Sequence, residues 1–197
     1  MRKATRLSVW AAVLLMAGCA GRIKHMQPVA DPNVSYAPAE NQATVIFIRP
    51  SKRGTGYQSS VFDATTEENR LIGVLAARKK VAYVTAPGRH LFMVIGEKAD
   101  FMKADLSAGK TYYVVVTPER GTWLVNYSFS PQRWDVLETP LFQRWVDGCT
   151  WVENTDASRK WADDNLPSIR SKRESAFKVW DAKPEEDKPF LRPEDGK

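Results

Sequence analysis

The sequence predicts a mainly β protein, a small antiparallel β-sandwich with a C-terminal α-helical extension. Between residues 43 and 129 the chain runs through seven or eight short stretches rich in β-branched and aromatic residues, parted by turn residues at intervals of about 8 to 12. Beyond residue 155 the pattern changes, and Ile169, Ala176, Phe177 and Trp180 recur at helical spacing on one face. A chain of 197 residues holds one domain of ordinary size with appendages.

The first eighteen residues read as a signal peptide. Arg2, Lys3 and Arg6 form a positive start, and Leu7 to Met16 form an apolar run about half the ~20 residues a permanent membrane helix needs. Small residues then lead to a cysteine. Leu15-Met16-Ala17-Gly18-Cys19 resembles the lipobox of bacterial lipoproteins, with the leucine one position earlier than usual. The resemblance implies cleavage between Gly18 and Cys19 and a diacylglyceryl and acyl anchor on Cys19, the only cofactor-like group expected. Two or more acyl chains make such anchoring stable. Ala20, in place of the aspartate that marks inner-membrane retention, implies an outer-membrane destination facing the periplasm.

Residues 19–42 are polar and broken by Pro28, Pro32 and Pro38, which predicts a flexible tether. The β domain is expected over 43–138. Ala43 to Arg49 reads as its first strand, closed by Pro50, and Ser51 to Ser59 as a loop with Lys52, Arg53 and Tyr57. Val61 to Ala64 and Leu71 to Leu75 form the next strands. The stretch Lys79 to Val116 supplies several more, turning at Pro87-Gly88 and Ala108-Gly109. Thr122 to Phe129 alternates as another strand, and Gln132 to Glu138 reads as an edge strand ended by Thr139-Pro140.

Three of these stretches, Ile46-Phe47-Ile48-Arg49-Pro50-Ser51, Ala86-Pro87-Gly88-Arg89-His90 and Leu106 to Val114, resemble a family of bacterial lipoproteins defined by a domain of unknown function. The resemblance covers roughly residues 43 to 130. It implies a sandwich of the transthyretin or carboxypeptidase-regulatory type and carries no catalytic residues.

Residues 139–182 are expected to be helical. Thr155 caps one helix through Asn165, and Asn165 caps the next, with Pro167 in its first turn. The other face of the second helix, Arg170, Lys172, Arg173, Glu174 and Lys178, is basic and suited to packing on the sandwich or to an anionic membrane or partner surface. Several strands are apolar on both faces, so something must cover the outer one. Residues 183–197, rich in proline and charge, read as a disordered tail.

The net charge of +6 falls to +3 once the signal is removed, and no basic stripe with interleaved aromatics suggests nucleic acid. Ala108-Gly109-Lys110-Thr111 has Ala104 where a phosphate-binding loop needs glycine, and a strand follows it. His90 reads as a turn residue rather than a general base, and no nucleophile set accompanies it. Two histidines and one cysteine beyond Cys19 do not make a dedicated zinc site; an all-carboxylate calcium site is left open. Cys149, between Trp145 and Trp151, reads as a buried small hydrophobe, with a reactive or intermolecular thiol as the alternative. The expectation is therefore a non-enzymatic envelope interaction module, held to the membrane by lipid and contacting an envelope protein. Arg49, Lys52, Arg53, Tyr57, Trp123, Tyr127 and Trp180 are its candidate contacts. The alternative is small-ligand or glycan binding, with Trp123, Tyr127 or Trp134 as the stacking surface.

Overall fold

The computed structural model describes residues 25–31 and 33–197. Eleven strands are described: β1 Met26–Pro28, β2 Ala43–Arg49, β3 Ser59–Asp63, β4 Arg70–Leu75, β5 Lys79–Thr85, β6 Gly88–Ile95, β7 Ala99–Leu106, β8 Thr111–Arg120, β9 Val125–Pro131, β10 Thr150–Asn154 and β11 Phe190–Leu191. They form two sheets, ordered β1-β10-β5-β2-β8-β9 and β11-β7-β6-β3-β4. Four helices accompany them: α1 Trp134–Leu137, α2 Pro140–Asp147, α3 Asp156–Asp164 and α4 Leu166–Asp181.

The two sheets share one core. Along β2 the side chains alternate: Val45 and Phe47 point toward the other sheet, and Ile46 and Ile48 point away from it. Phe47 meets Phe92 of β6 edge-on, 5.3 Å between ring centroids. The outward side of β2 is covered by Leu137 and Phe142 from α1 and α2. On the outer face of the second sheet, Ile169 and Trp180 of α4 pack on Phe62, Met93, Ile95 and Phe101. Strands apolar on both faces are thus buried on both, as their composition demanded.

Four expectations are corrected. The sheets are mixed, not antiparallel: β2–β8, β10–β5 and β11–β7 run parallel. The β6–β7 hairpin delivers the chain to the end where β2 starts, so β8, lying beside β2, must run the same way. Gln132 to Glu138 is mostly helix rather than an edge strand, and Thr139-Pro140 starts a helix instead of breaking a strand. The Thr139 hydroxyl accepts from the Phe142 N–H and Pro140 fills the first helical position, where its missing N–H costs nothing. The helical segment also contains β10, whose Val152 joins the core.

The described part of residues 19–42 is packed on the body instead of forming a flexible tether. Met26 is buried in the inter-sheet core, its Sδ receiving the Val74 N–H, and Tyr36 packs on Trp151 with ring centroids 4.8 Å apart. Residues 183–197 are no disordered tail either. Leu191 is fully buried, Lys103 N–H donates to the Pro189 carbonyl, and Thr111 and Lys197 exchange backbone hydrogen bonds. Tyr112 Oη and Lys110 Nζ both donate to the Pro193 carbonyl. Scattered apolar residues in a polar segment sufficed, because β7 and Tyr112 offered an edge and a ring to cover.

Candidate functional site

Strand registers bring four connections to one end of the molecule. Arg49 pairs with Lys79, Ser59 with Leu75, Ile95 with Ala99 and Arg120 with Val125. The loop at 50–58 and the turns at 76–78, 96–98 and 121–124 therefore crowd one pole. The opposite pole holds the start of β1.

Arg49 organises this pole from beneath. Its side chain is completely buried, with Nη1 donating to the carbonyls of Tyr57 (2.8 Å) and Leu75 (3.0 Å) and Nη2 to those of Arg53 and Gly54 (both 2.9 Å). The guanidinium lies 4.9 Å from the centroid of the Tyr127 ring. Burial pulls its pKa below the ordinary value while Tyr127 pulls the other way. Among the described residues, carbonyl dipoles and a π face meet this charge in place of a carboxylate. Gly54, at φ +64°, gives the loop its left-handed turn and sits where an added Cβ would touch Val125, so this loop and the 121–124 turn are neighbours.

Glu97 organises the pole from the side. Its Oε2 accepts from the N–H groups of Trp123 (3.0 Å) and Leu124 (2.8 Å), and these bonds hold its carboxyl below the usual range. The Glu97 N–H itself donates to the Val125 carbonyl. The turn backbone is fixed, yet the Trp123 side chain is 87% exposed, with Leu124 at 53% and Tyr57 at 47%. Lys52, Arg53, Lys98 and Arg120 are exposed on the same group of loops. The outcome is an apolar point on a fixed turn, with exposed cations at the same pole.

Lys52, Arg53, Tyr57 and Trp123 are thus brought together as a surface. Arg49, Tyr127 (3% exposed) and Trp180 (2%) are corrections, because all three are interior. Arg49 and Tyr127 stack beneath the pole, and Trp180 is the seat of α4 on Phe101. Gly18 and Cys19 lie outside the described residues. Glu97, Leu124, Lys98 and Arg120 escaped the sequence reading. The signal that would have found them is the apolar pair Trp123-Leu124 just after Gly121-Thr122, where a turn normally carries polar residues. Extending a strand back to Thr122 hid it.

The other chemically suggestive cluster is saturated. Asp63 accepts from Tyr83 Oη (2.9 Å), the Thr65 N–H (2.9 Å), the Thr65 hydroxyl and His90 Nδ1 (3.1 Å), while His90 Nε2 faces the Ala86 carbonyl at 3.0 Å. Burial alone would raise the Asp63 carboxyl, but the bonds from His90, Thr65 and Tyr83 outweigh it and hold it well below the carboxylate range. For His90, burial opposes the charge, and Asp63 and the Ala86 carbonyl overcome it to raise the pKa. Both ring nitrogens face acceptors, so the imidazolium is favoured and no lone pair is free to take a proton. Cys149 is buried, and desolvation pushes its thiol up to about 11 despite Lys80, Arg78 and Lys79, which leaves it a poor nucleophile. Among the described residues, no group of three His, Cys, Asp or Glu side chains is placed to hold a metal.

The edges of the second sheet are blunted. Met26 and Asn154 bond the outer groups of β4 at Val74 N–H and the Ile72 carbonyl, and β11 covers β7. The loop pole combines a fixed backbone, exposed apolar side chains and exposed charge. No protein-family model matches the chain, and no curated protein matches it.

Proposed function

We propose that this protein is an outer-membrane lipoprotein, acylated on Cys19 and facing the periplasm, that serves as a non-enzymatic interaction module of the cell envelope. In this reading its two facing sheets are a β-sandwich of the transthyretin type. The lipobox-like Leu15 to Cys19 supports the anchor, and the resemblance of residues 43 to 130 to a lipoprotein family supports the fold. The observation that carries the interaction role is Trp123, 87% exposed on a backbone that Glu97 holds in place. A large aromatic kept in water on a fixed turn costs solubility without adding to the core, and a surface contact accounts for it.

The test has two parts. Mass analysis of the mature N-terminal peptide should find Cys19 acylated, and Cys19→Ala should stop the protein floating with membranes. A photo-crosslinker at position 123 should then join the protein to an envelope component, which the same probe at exposed Lys160 on α3 should not reach. An unmodified Cys19, or equal crosslinking from both positions, would sink the proposal.

The second reading, small-ligand or glycan binding, is favoured by a different place. A cavity of about 430 Å³ lies between Trp134, half exposed, and Phe190, with Arg133, Arg192 and Glu194 around it. An aromatic wall beside bidentate polar groups suits a sugar ring. Oligosaccharide titration with Trp134→Ala as control separates this reading from the first.

A further inference from the structure

We infer that the loop pole docks onto an anionic lipid bilayer, a surface facing the one that holds Cys19. The inference rests on the proposed function only for the claim that the N-terminus is held in a membrane.

The shape of the point argues first. Trp123 and Leu124 project side by side from a tight turn, and Tyr57 stands on the neighbouring loop. Three side chains offer far less than the roughly 800 Å² per partner that a stable protein interface buries. A bilayer demands no matching contour, and a fluid interface accepts a convex point. Indole is the ring that settles at the headgroup level, with its N–H toward water and its body toward the acyl chains. Leucine adjoining it supplies the part that enters the hydrocarbon.

Charge argues second. Lys52 and Arg53 on the 50–58 loop, Lys98 on the 96–98 turn and Arg120 at the end of β8 are exposed at the same pole, and cations grouped in this way are drawn to anionic leaflets. The nearest acid, Glu97, has its Oε2 occupied by two backbone N–H groups of the turn. Two further acids stand at the strand ends, Glu119 of β8, bonded by the Ser128 hydroxyl at 3.0 Å, and Asp100 of β7, which faces Lys183 at 3.9 Å.

Direction argues third. β1 begins at the far pole, Met26 pairing with Asn154 at the end of β10, whereas Thr150 at its start pairs with Lys79 of the loop pole. The ten residues of β8 span about 33 Å between the poles. The five residues between Cys19 and His25 reach about 20 Å at most. A body held on so short a leash turns its apolar point toward the opposing surface.

The experiment uses the full-length protein reconstituted in phosphatidylcholine vesicles and measures capture of dye-filled vesicles that contain about a third phosphatidylglycerol. Capture should rise with the anionic fraction and fall in high salt, since headgroup attraction is screened. The double change Trp123→Ala with Leu124→Ala should reduce it about tenfold, and Lys52→Glu with Arg53→Glu similarly. Lys160→Glu, on a distant helix, should leave it intact. These side chains are exposed, so unchanged melting temperatures will show that the variants are folded. Equal capture of pure phosphatidylcholine vesicles, no capture, or capture indifferent to the tip changes would overturn the inference. So would crosslinking of position 123 to a protein when anionic vesicles are not captured. Whether Cys19 is acylated is read separately from the peptide mass, because the assay needs only that the N-terminus be held in the first vesicle.

Discussion

Arg49 is a charge taken wholly out of water and given four carbonyl oxygens and an aromatic face in return. Removing a buried partner of this kind leaves its acceptors orphaned. Arg49→Met should cost about 3–5 kcal/mol, and Arg49→Lys nearly as much, because an ammonium cannot present two parallel pairs of donors; urea unfolding measures both. The Asp63–His90 pair makes a pH prediction whose sign is fixed. His90 is raised above its ordinary 6.5, so its contribution is complete below that pH and is lost as pH rises through the raised value. Asp63 is lowered from 3.8, so its contribution is complete above that pH and is lost as pH falls through the lowered value. Stability from the pair should therefore plateau between about pH 4 and 6.5 and decline on either side. His90→Gln should cost about 1–3 kcal/mol at pH 6 and abolish the alkaline decline in melting temperature.

At the level of elements, the last fifteen residues close the second sheet. Deleting residues 184–197 removes β11 and uncovers Tyr112 and the β7 edge, so the shortened chain should melt lower and aggregate. Trypsin, conversely, should spare Lys188 in the native full-length protein, where its side chain is 5% exposed. What the sequence disclosed and what it hid divide along physical lines. Residues β2 to β9 announced themselves by β-branched runs and turn residues, and α3 by Thr155, whose hydroxyl accepts from the Ser158 N–H. Asn165 does not cap α4 with its side chain; its Nδ2 bonds the Trp161 carbonyl and closes α3 instead. β1, β10 and β11 are two to five residues long and owe their existence to the strands they lie beside. No local pattern specifies such pieces. The same holds for the pole: Lys52, Arg53, Tyr57 and Trp123 could be picked out one by one, whereas the inward fate of Arg49 and the clamp from Glu97 are decided by residues distant in the chain.

Across the whole molecule, polarity is the organising feature: the N-terminal entry at one end, a cationic apolar point at the other, and helices on both outer faces between them. Were both ends attached, that arrangement would put the chain under load. When the first end is held and the far pole grips another surface, tension runs along β1. Its three pairings with β10 then lie in shear, sharing the force together instead of peeling one after another. Met26, wedged in the core beside Gly73 and bonded by Val74, acts as a cleat at the point of entry. Met26→Ala should lower the rupture force in single-molecule pulling from residue 25 against residue 123, while costing far less when the same variant is pulled between two points on β2 and β8.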